Sequence, residues 1–100
     1  MIMIAAEPDL TAQIASLLRE TGGAHHRAYL ATNGDDPEWP IWYADYLHLK
    51  LNSLMHTHWT RSDLVHLFVR MEKERSAGPN SASWPEFYAR RLIEEDRGDN

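Results

Sequence analysis

The sequence predicts an all-α protein, a compact bundle of four helices at about residues 9–21, 39–56, 61–75 and 84–95, and it leaves open a short helix at 24–31. Apolar residues recur every three or four positions in the four segments, as they do on the buried face of a helix. A nine-residue phrase that begins Trp-Pro occurs twice, at 39–47 and 84–92, and proline is favoured in the first turn of a helix. One hundred residues predict a single domain, 1–100, with a frayed tail at 96–100.

The first helix is predicted from an apolar stripe that consists of Leu10, Ile14, Leu17 and Leu18. Asp9 is placed to cap its N-terminus, since a side-chain oxygen there can accept a hydrogen bond from a free backbone N–H. Gly22 and Gly23 are expected to end it, because glycine is common just past the last helical residue. Residues 32–37 then predict a loop.

The second helix is predicted to be apolar on two opposite sides. The residues of its core stripe are Tyr43, Ala44, Leu47, Leu51, Leu54 and Met55. A second stripe contains Trp42, Tyr46 and Leu49, and a polar stripe of Asp45, His48, Asn52 and His56 lies between the two. A helix of this kind is typically central in its bundle, or lies between a core and a partner.

The third helix is predicted to begin with a capping box formed by Thr60 and Asp63. Its core stripe contains Leu64, Leu67, Phe68 and Met71, flanked by Val65 and Val69. A linker is expected at 76–81 from its Gly, Pro, Ser and Asn content. The fourth helix opens with the second Trp-Pro, and its stripe is Trp84, Tyr88 and Leu92.

Composition excludes several classes of function. The net charge of −5 disfavours nucleic acid and anionic membrane surfaces, both of which require lysine and arginine. Cysteine is absent, which excludes disulfides and thiolate sites and fits a reducing cytoplasm, the predicted location. The apolar start at 1–6 is too short for a secretory signal, and no segment has the length of a membrane span.

The run from Asn33 to Leu47, which includes Asp36-Pro37-Glu38-Trp39-Pro40 and Trp42-Tyr43-Ala44, resembles a group of small uncharacterised bacterial proteins. The segments at 64–74 and 84–89 are similar to parts of the same group, so that the resemblance covers about two thirds of the chain. It implies a compact helical family of unassigned function. It supplies no catalytic residue.

Two groups of polar residues have the composition of possible metal sites. Asp45 and His48 have the Asp-x-x-His spacing of di-metal bundles, but such a site needs the motif on two helices, and the other helices offer only His66, beside cations that would repel a metal. The pairs His25-His26 and His56-x-His58 could supply nitrogen ligands for zinc, yet nothing in the sequence brings them together. We therefore predict no metal and no cofactor. No P-loop, nucleophile elbow or dinucleotide motif is present, so the sequence leans against an enzyme and predicts no catalytic residue.

Aromatic residues are the better candidates for function, because they are enriched in interfaces and binding pockets. The sequence predicts an interaction or regulatory module, most simply a homodimer or a binder of another protein, that associates through Trp39, Trp42, Tyr46 and Leu49. The alternative is a small enzyme or ligand binder. Its pocket would lie near the 33–39 loop and use His25, His26, Asp35 and Asp36.

Overall fold

A computed structural model of the protein describes residues 9–78 and 83–98. They form four α-helices: α1 (Leu10–Ala28), α2 (Trp39–Met55), α3 (Arg61–Ala77) and α4 (Trp84–Arg97). A single 3-10 turn, Leu30–Thr32, follows α1, and none of the described residues is in a strand. The predicted all-α four-helix bundle is confirmed. The predicted linker at 76–81 and tail at 96–100 both begin later than expected, because α3 extends to Ala77 and α4 to Arg97; residues 79–82 and 99–100 lie outside the described residues.

The helices pack as a ring in which each contacts the next and α4 closes against α1. The α1–α4 and α2–α3 contacts are the most extensive. Short connections, such as residues 56–60 between α2 and α3, make sequential helices antiparallel neighbours. The largest fully buried apolar side chains are Ile14, Leu18, Leu47, Leu51, Leu64, Phe68, Met71 and Leu92. They come from all four predicted core stripes.

The predicted helix starts of α1 and α3 are confirmed by their hydrogen bonds. Asp9 Oδ1 accepts the backbone N–H of Ala12 at 2.8 Å. Thr60 Oγ1 accepts the N–H of Asp63 at 3.0 Å, while Asp63 Oδ2 accepts the N–H of Thr60 at 2.9 Å, which completes a capping box. Side-chain oxygens thus satisfy backbone donors that a helix start leaves without a partner.

The first helix is longer than expected, because Gly22 and Gly23 do not end it. It continues to Ala28 and includes most of the segment at 24–31, for which the sequence leaves a short helix open. Packing explains Gly22: a Cβ there would lie 3.2 Å from Cζ2 of Trp84 and 3.4 Å from the hydroxyl of Tyr43. Glycine allows these two rings, one from each copy of the repeated phrase, to approach the α1 backbone.

The connection from α1 to α2 turns back on α1. Asn33 and Gly34 both have positive φ, at 56° and 84°, which Asn and Gly adopt more readily than other residues. Gly34 also lies against His26, whose Nδ1 would be 2.6 Å from an added Cβ. The turn therefore returns the acidic segment at 35–38 to the end of α1.

The described part of the chain contains no helix with the length and hydropathy needed to cross a membrane.

Candidate functional site

An open groove of about 730 Å³ lies between α2 and α3. Its apolar lining consists of Tyr29, Ile41, Trp42, Val65 and Val69. Its polar rim consists of Glu38, Asp45, Arg61, Ser62 and His66. A volume of roughly 300–1,000 Å³ with an apolar lining and few polar groups is typical of binding sites. The groove can therefore hold a side chain of a partner or a small molecule.

The groove exists because α2 buries only one of its apolar sides. Ala44, Leu47 and Leu51 enter the core, which leaves Ile41 and Leu49 outside it with 57% and 73% of their surfaces exposed. Ile41, Asp45 and Leu49 recur at i, i+4 and i+8 and form a ridge along α2. Large apolar side chains with this exposure have apolar area to lose on contact with a partner.

An ion pair crosses the rim. Asp45 Oδ1 lies 3.0 Å from Nε of Arg61, and both side chains are about two-thirds exposed. A pair this exposed contributes at most about 1 kcal/mol and can exchange partners at little cost. The rim charges are thus available to a second molecule.

A buried hydrogen bond supports one end of the groove. His25 Nε2 donates to Asp36 Oδ2 at 2.9 Å, and the two side chains are only 8% and 7% exposed. The hydrogen bond from His25 is the main cause that lowers the pKa of Asp36, against the opposing effect of burial. Asp36 Oδ1 also accepts the N–H of Glu38 at 3.0 Å, which fixes the residue at the rim.

The His25 ring connects this hydrogen bond to the groove wall. Tyr29 stacks on it with centroids 4.8 Å apart, and the edge-to-face contact with Trp42 has centroids 5.1 Å apart. Both partners line the groove. The end of α1 therefore determines the position of two aromatic side chains that line the groove.

The four side chains of the predicted interface lie in different surroundings. Trp42 lines the groove, and Leu49 is exposed one helical turn beyond the rim residue Asp45. Tyr46 stacks on Trp42 at 5.4 Å and donates its hydroxyl to Glu20 of α1 at 2.7 Å, so it also joins two helices. Trp39 packs against the core and lies in a different pocket.

The structure brings together two of the four residues of the alternative ligand site. His25 and Asp36 are bonded to each other, whereas His26 and Asp35 are exposed. Across residues 9–78 and 83–98, no three His, Cys, Asp or Glu side chains are grouped so that they could hold a metal ion. The imidazole of His25 is committed to Asp36 and to its aromatic neighbours.

The polar stripe of α2 does not form one site either. Asp45 pairs with Arg61, His48 is half-buried, and His56 ends the helix at a positive φ of 57°. Asn52 braces the turn into α3: its Oδ1 accepts from the Thr57 hydroxyl at 2.7 Å, and its amide donates to the carbonyl of Trp59 at 2.8 Å. This residue has a structural role.

Sequence reasoning missed part of the groove. Ile41, Val65 and Val69 are not among the predicted site residues, although the sequence predicts that Val65 and Val69 flank the core stripe of α3. The signal that could have found them is spacing, since Ile41 lies eight residues before Leu49 and Val65 four before Val69.

Comparison with known protein families, with curated proteins and with solved structures finds no match.

Proposed function

We propose that this protein is a small interaction module that self-associates through the groove face, defined as Ile41, Trp42, Leu49, Val65 and Val69. One observation carries the proposal: a ridge and a groove lie side by side on the same surface. A two-fold dimer requires a patch that complements itself. In such a dimer, Ile41 and Leu49 of one copy occupy the groove of the other, and the reverse contact follows by symmetry.

The charges on the rim support a second copy as the occupant. Glu38 and Asp45 are acidic, whereas Arg61 is basic. A two-fold axis through the groove face allows the acidic residues of one copy to meet Arg61 of the other. Interfaces select partners by this kind of complementarity. A face of one sign would instead oppose dimerisation in a chain whose net charge is already −5.

The ridge has enough exposed apolar surface for its contribution to association to be measured. Complete burial of an Ile or Leu side chain is worth about 1.5–3 kcal/mol, so Ile41 and Leu49, at 57% and 73% exposed, each offer roughly 1–2 kcal/mol to an interface. Trp42 in the groove is the type of residue that most often dominates binding energy at an interface centre. A substitution of one ridge residue changes both copies of a two-fold dimer, so it should weaken association by about a hundredfold, since roughly 1.4 kcal/mol per copy corresponds to a factor of ten.

Sedimentation velocity over a range of concentrations tests the proposal. The wild type should sediment faster as concentration rises, and Leu49→Glu should remain a monomer with an unchanged circular dichroism spectrum. Ser16→Glu is the matched control, because it adds the same charge at an exposed position of α1. A wild type that is monomeric at every concentration would refute the proposal, as would equal effects of the two variants.

A second candidate is a binder of a small apolar ligand, as in the sequence-based alternative. The position of the groove favours this candidate. Glu38, which lines the groove, belongs to the 33–39 loop, and Tyr29, which also lines it, stacks on the buried His25 at the end of α1. Binding of an apolar dye by a monomer, lost in Trp42→Ala, would select this candidate. Dye binding that falls as dimer forms would instead show that the two occupants share one groove.

A further inference from the structure

The two copies of the repeated phrase meet at the C-terminal end of α3. Together they line a pocket of about 200 Å³, separate from the groove, whose walls are Trp39, Tyr43, Trp84, Tyr88, Glu72 and Arg75. The four aromatic residues occupy equivalent positions of the two phrases, the Trp that starts each helix and the Tyr four residues later. We call these four rings the aromatic cup.

The rings of the aromatic cup form an unbroken series of edge-to-face contacts. Trp39 and Tyr43 have centroids 5.2 Å apart, Tyr43 and Trp84 6.3 Å, and Trp84 and Tyr88 5.7 Å. The interplanar angles are 79°, 67° and 73° in the same order. The face of an aromatic ring carries partial negative charge. A concave arrangement of such rings is the usual protein environment for a large organic cation.

A carboxylate lies at the cup. Glu72 accepts a hydrogen bond from the hydroxyl of Tyr88 and others from Arg75 and Ser76. Burial works against ionisation of Glu72, but these hydrogen bonds outweigh it and hold the pKa of its carboxyl below the usual range. Near neutral pH the ionised carboxylate of Glu72 therefore lies beside the four rings of the aromatic cup.

The chain already places one cation there. Arg75 Nε lies 3.3 Å from Glu72 Oε2, and both side chains are about one-third exposed. A long, partly exposed pair three residues apart on a helix contributes little, so Arg75 can leave this position at small cost. The nearby C-terminal end of α3 also favours positive charge, although the N-termini of α2 and α4 oppose it.

We propose that the aromatic cup binds a quaternary or methylated ammonium group, with Glu72 as its counter-ion and Arg75 as a displaceable occupant. A methylated cation suits this pocket better than a primary ammonium, because it is large, weakly hydrated and makes contact with ring faces without needing hydrogen-bond acceptors. A pocket of about 200 Å³ has room for one such group. The proposal is independent of self-association through the groove face.

Proton NMR of the full chain, titrated with choline, tests it. The four tryptophans give four indole N–H signals, of which those of Trp39 and Trp84 should shift while those of Trp42 and Trp59 should not. The control ligand is the neutral isostere of choline, in which a tert-butyl group replaces the trimethylammonium. It should bind much more weakly, because it lacks the charge.

Three variants then test the roles of the charged residues. Arg75→Gln removes the competing cation and should tighten choline binding by about three- to tenfold, the effect of two unit charges a few ångströms apart that are screened by water. Glu72→Gln keeps an acceptor oxygen but loses the charge, and should weaken binding by about tenfold. Glu74→Gln is the matched control, since Glu74 pairs with Arg91 and does not line the cup.

Two results would overturn the proposal of a cation site in the aromatic cup. Equal binding of choline and its neutral isostere by the wild type would overturn the proposal, because the cup would then be an ordinary apolar pocket. Absence of saturable shifts in both the wild type and folded Arg75→Gln would also overturn it. Should a variant fail to fold, the comparison of the two ligands on the wild type still decides the question.

Discussion

Replacement of Asn52 by alanine should destabilise the protein more than any other single polar change on α2. Asn52 makes three side-chain hydrogen bonds across the α2–α3 turn: to the Thr57 hydroxyl at 2.7 Å, to the Trp59 N–H at 3.0 Å and to the Trp59 carbonyl at 2.8 Å. Thr57 is buried, so its hydroxyl cannot turn to water when its partner is removed. The turn positions α3 and with it one wall of the groove.

The expected loss follows from these contacts. Three hydrogen bonds at about 1 kcal/mol each give roughly 3 kcal/mol. Alanine recovers roughly 0.5 kcal/mol of this through its higher helix propensity, which leaves a net loss near 2.5 kcal/mol. For a domain of this size the melting temperature should fall by about 10–20 °C.

Urea unfolding followed by circular dichroism measures this loss. Ser53→Ala is the matched control, because Ser53 is the exposed neighbour on the same helix and should change stability by no more than about 0.5 kcal/mol. The slope of the free energy of unfolding against urea should stay the same in both variants, since neither alters the surface exposed on unfolding. A loss below about 1 kcal/mol for Asn52→Ala would refute the role assigned to this residue.

Two further predictions concern glycine and pH. Gly23→Ala should stabilise the protein by about 0.5–1 kcal/mol, because only the flexible end of Arg27 lies near the new Cβ. Gly22→Ala should give no such gain, because its Cβ would lie 3.2 Å from the ring of Trp84. Urea unfolding of the two variants measures the difference, and the reverse order of stability would contradict the packing described for α1. The pKa of Asp36 is lowered from 3.8 in the folded protein, so its contribution to stability is present above that value and is lost as the pH falls through the lower folded-state value. The urea midpoint should therefore decrease less at acid pH in Asp36→Asn than in the wild type. An equal decrease in the two proteins would show that the hydrogen bond to His25 does not contribute to stability.

Helix existence and core residues could be predicted from the sequence, because these depend on local chemistry. Asp9 and the Thr60–Asp63 pair satisfy backbone donors within their own turns, and the apolar stripes recur at the period of a helix. The length of α1 could not be predicted in this way. Whether Gly22 ends a helix or admits a neighbouring ring depends on Trp84, which lies on another helix.

In the candidate site too, some features follow from residue spacing, whereas others depend on how the helices pack. The second apolar side of α2, with Trp42 and Leu49, could be predicted from spacing alone. The groove could not, since its other wall depends on how α3 is rotated against α2. The contact between His25 and Asp36 depends on the turn at 33–34, where two successive residues of positive φ reverse the chain. The aromatic cup likewise requires the two copies of the phrase to meet in space.

The most direct test of self-association through the groove face is paramagnetic relaxation between two copies. The chain has no cysteine, so Ser53→Cys gives a single attachment site for a spin label on the exposed side of α2. A mixture of spin-labelled protein and unlabelled ¹⁵N-enriched protein reports only contacts between molecules. A dimer through the groove face should broaden the amide signals of Val65 and Val69 in the ¹⁵N-enriched copy. Absence of broadening at concentrations where the protein associates, or broadening confined to α4, would contradict it.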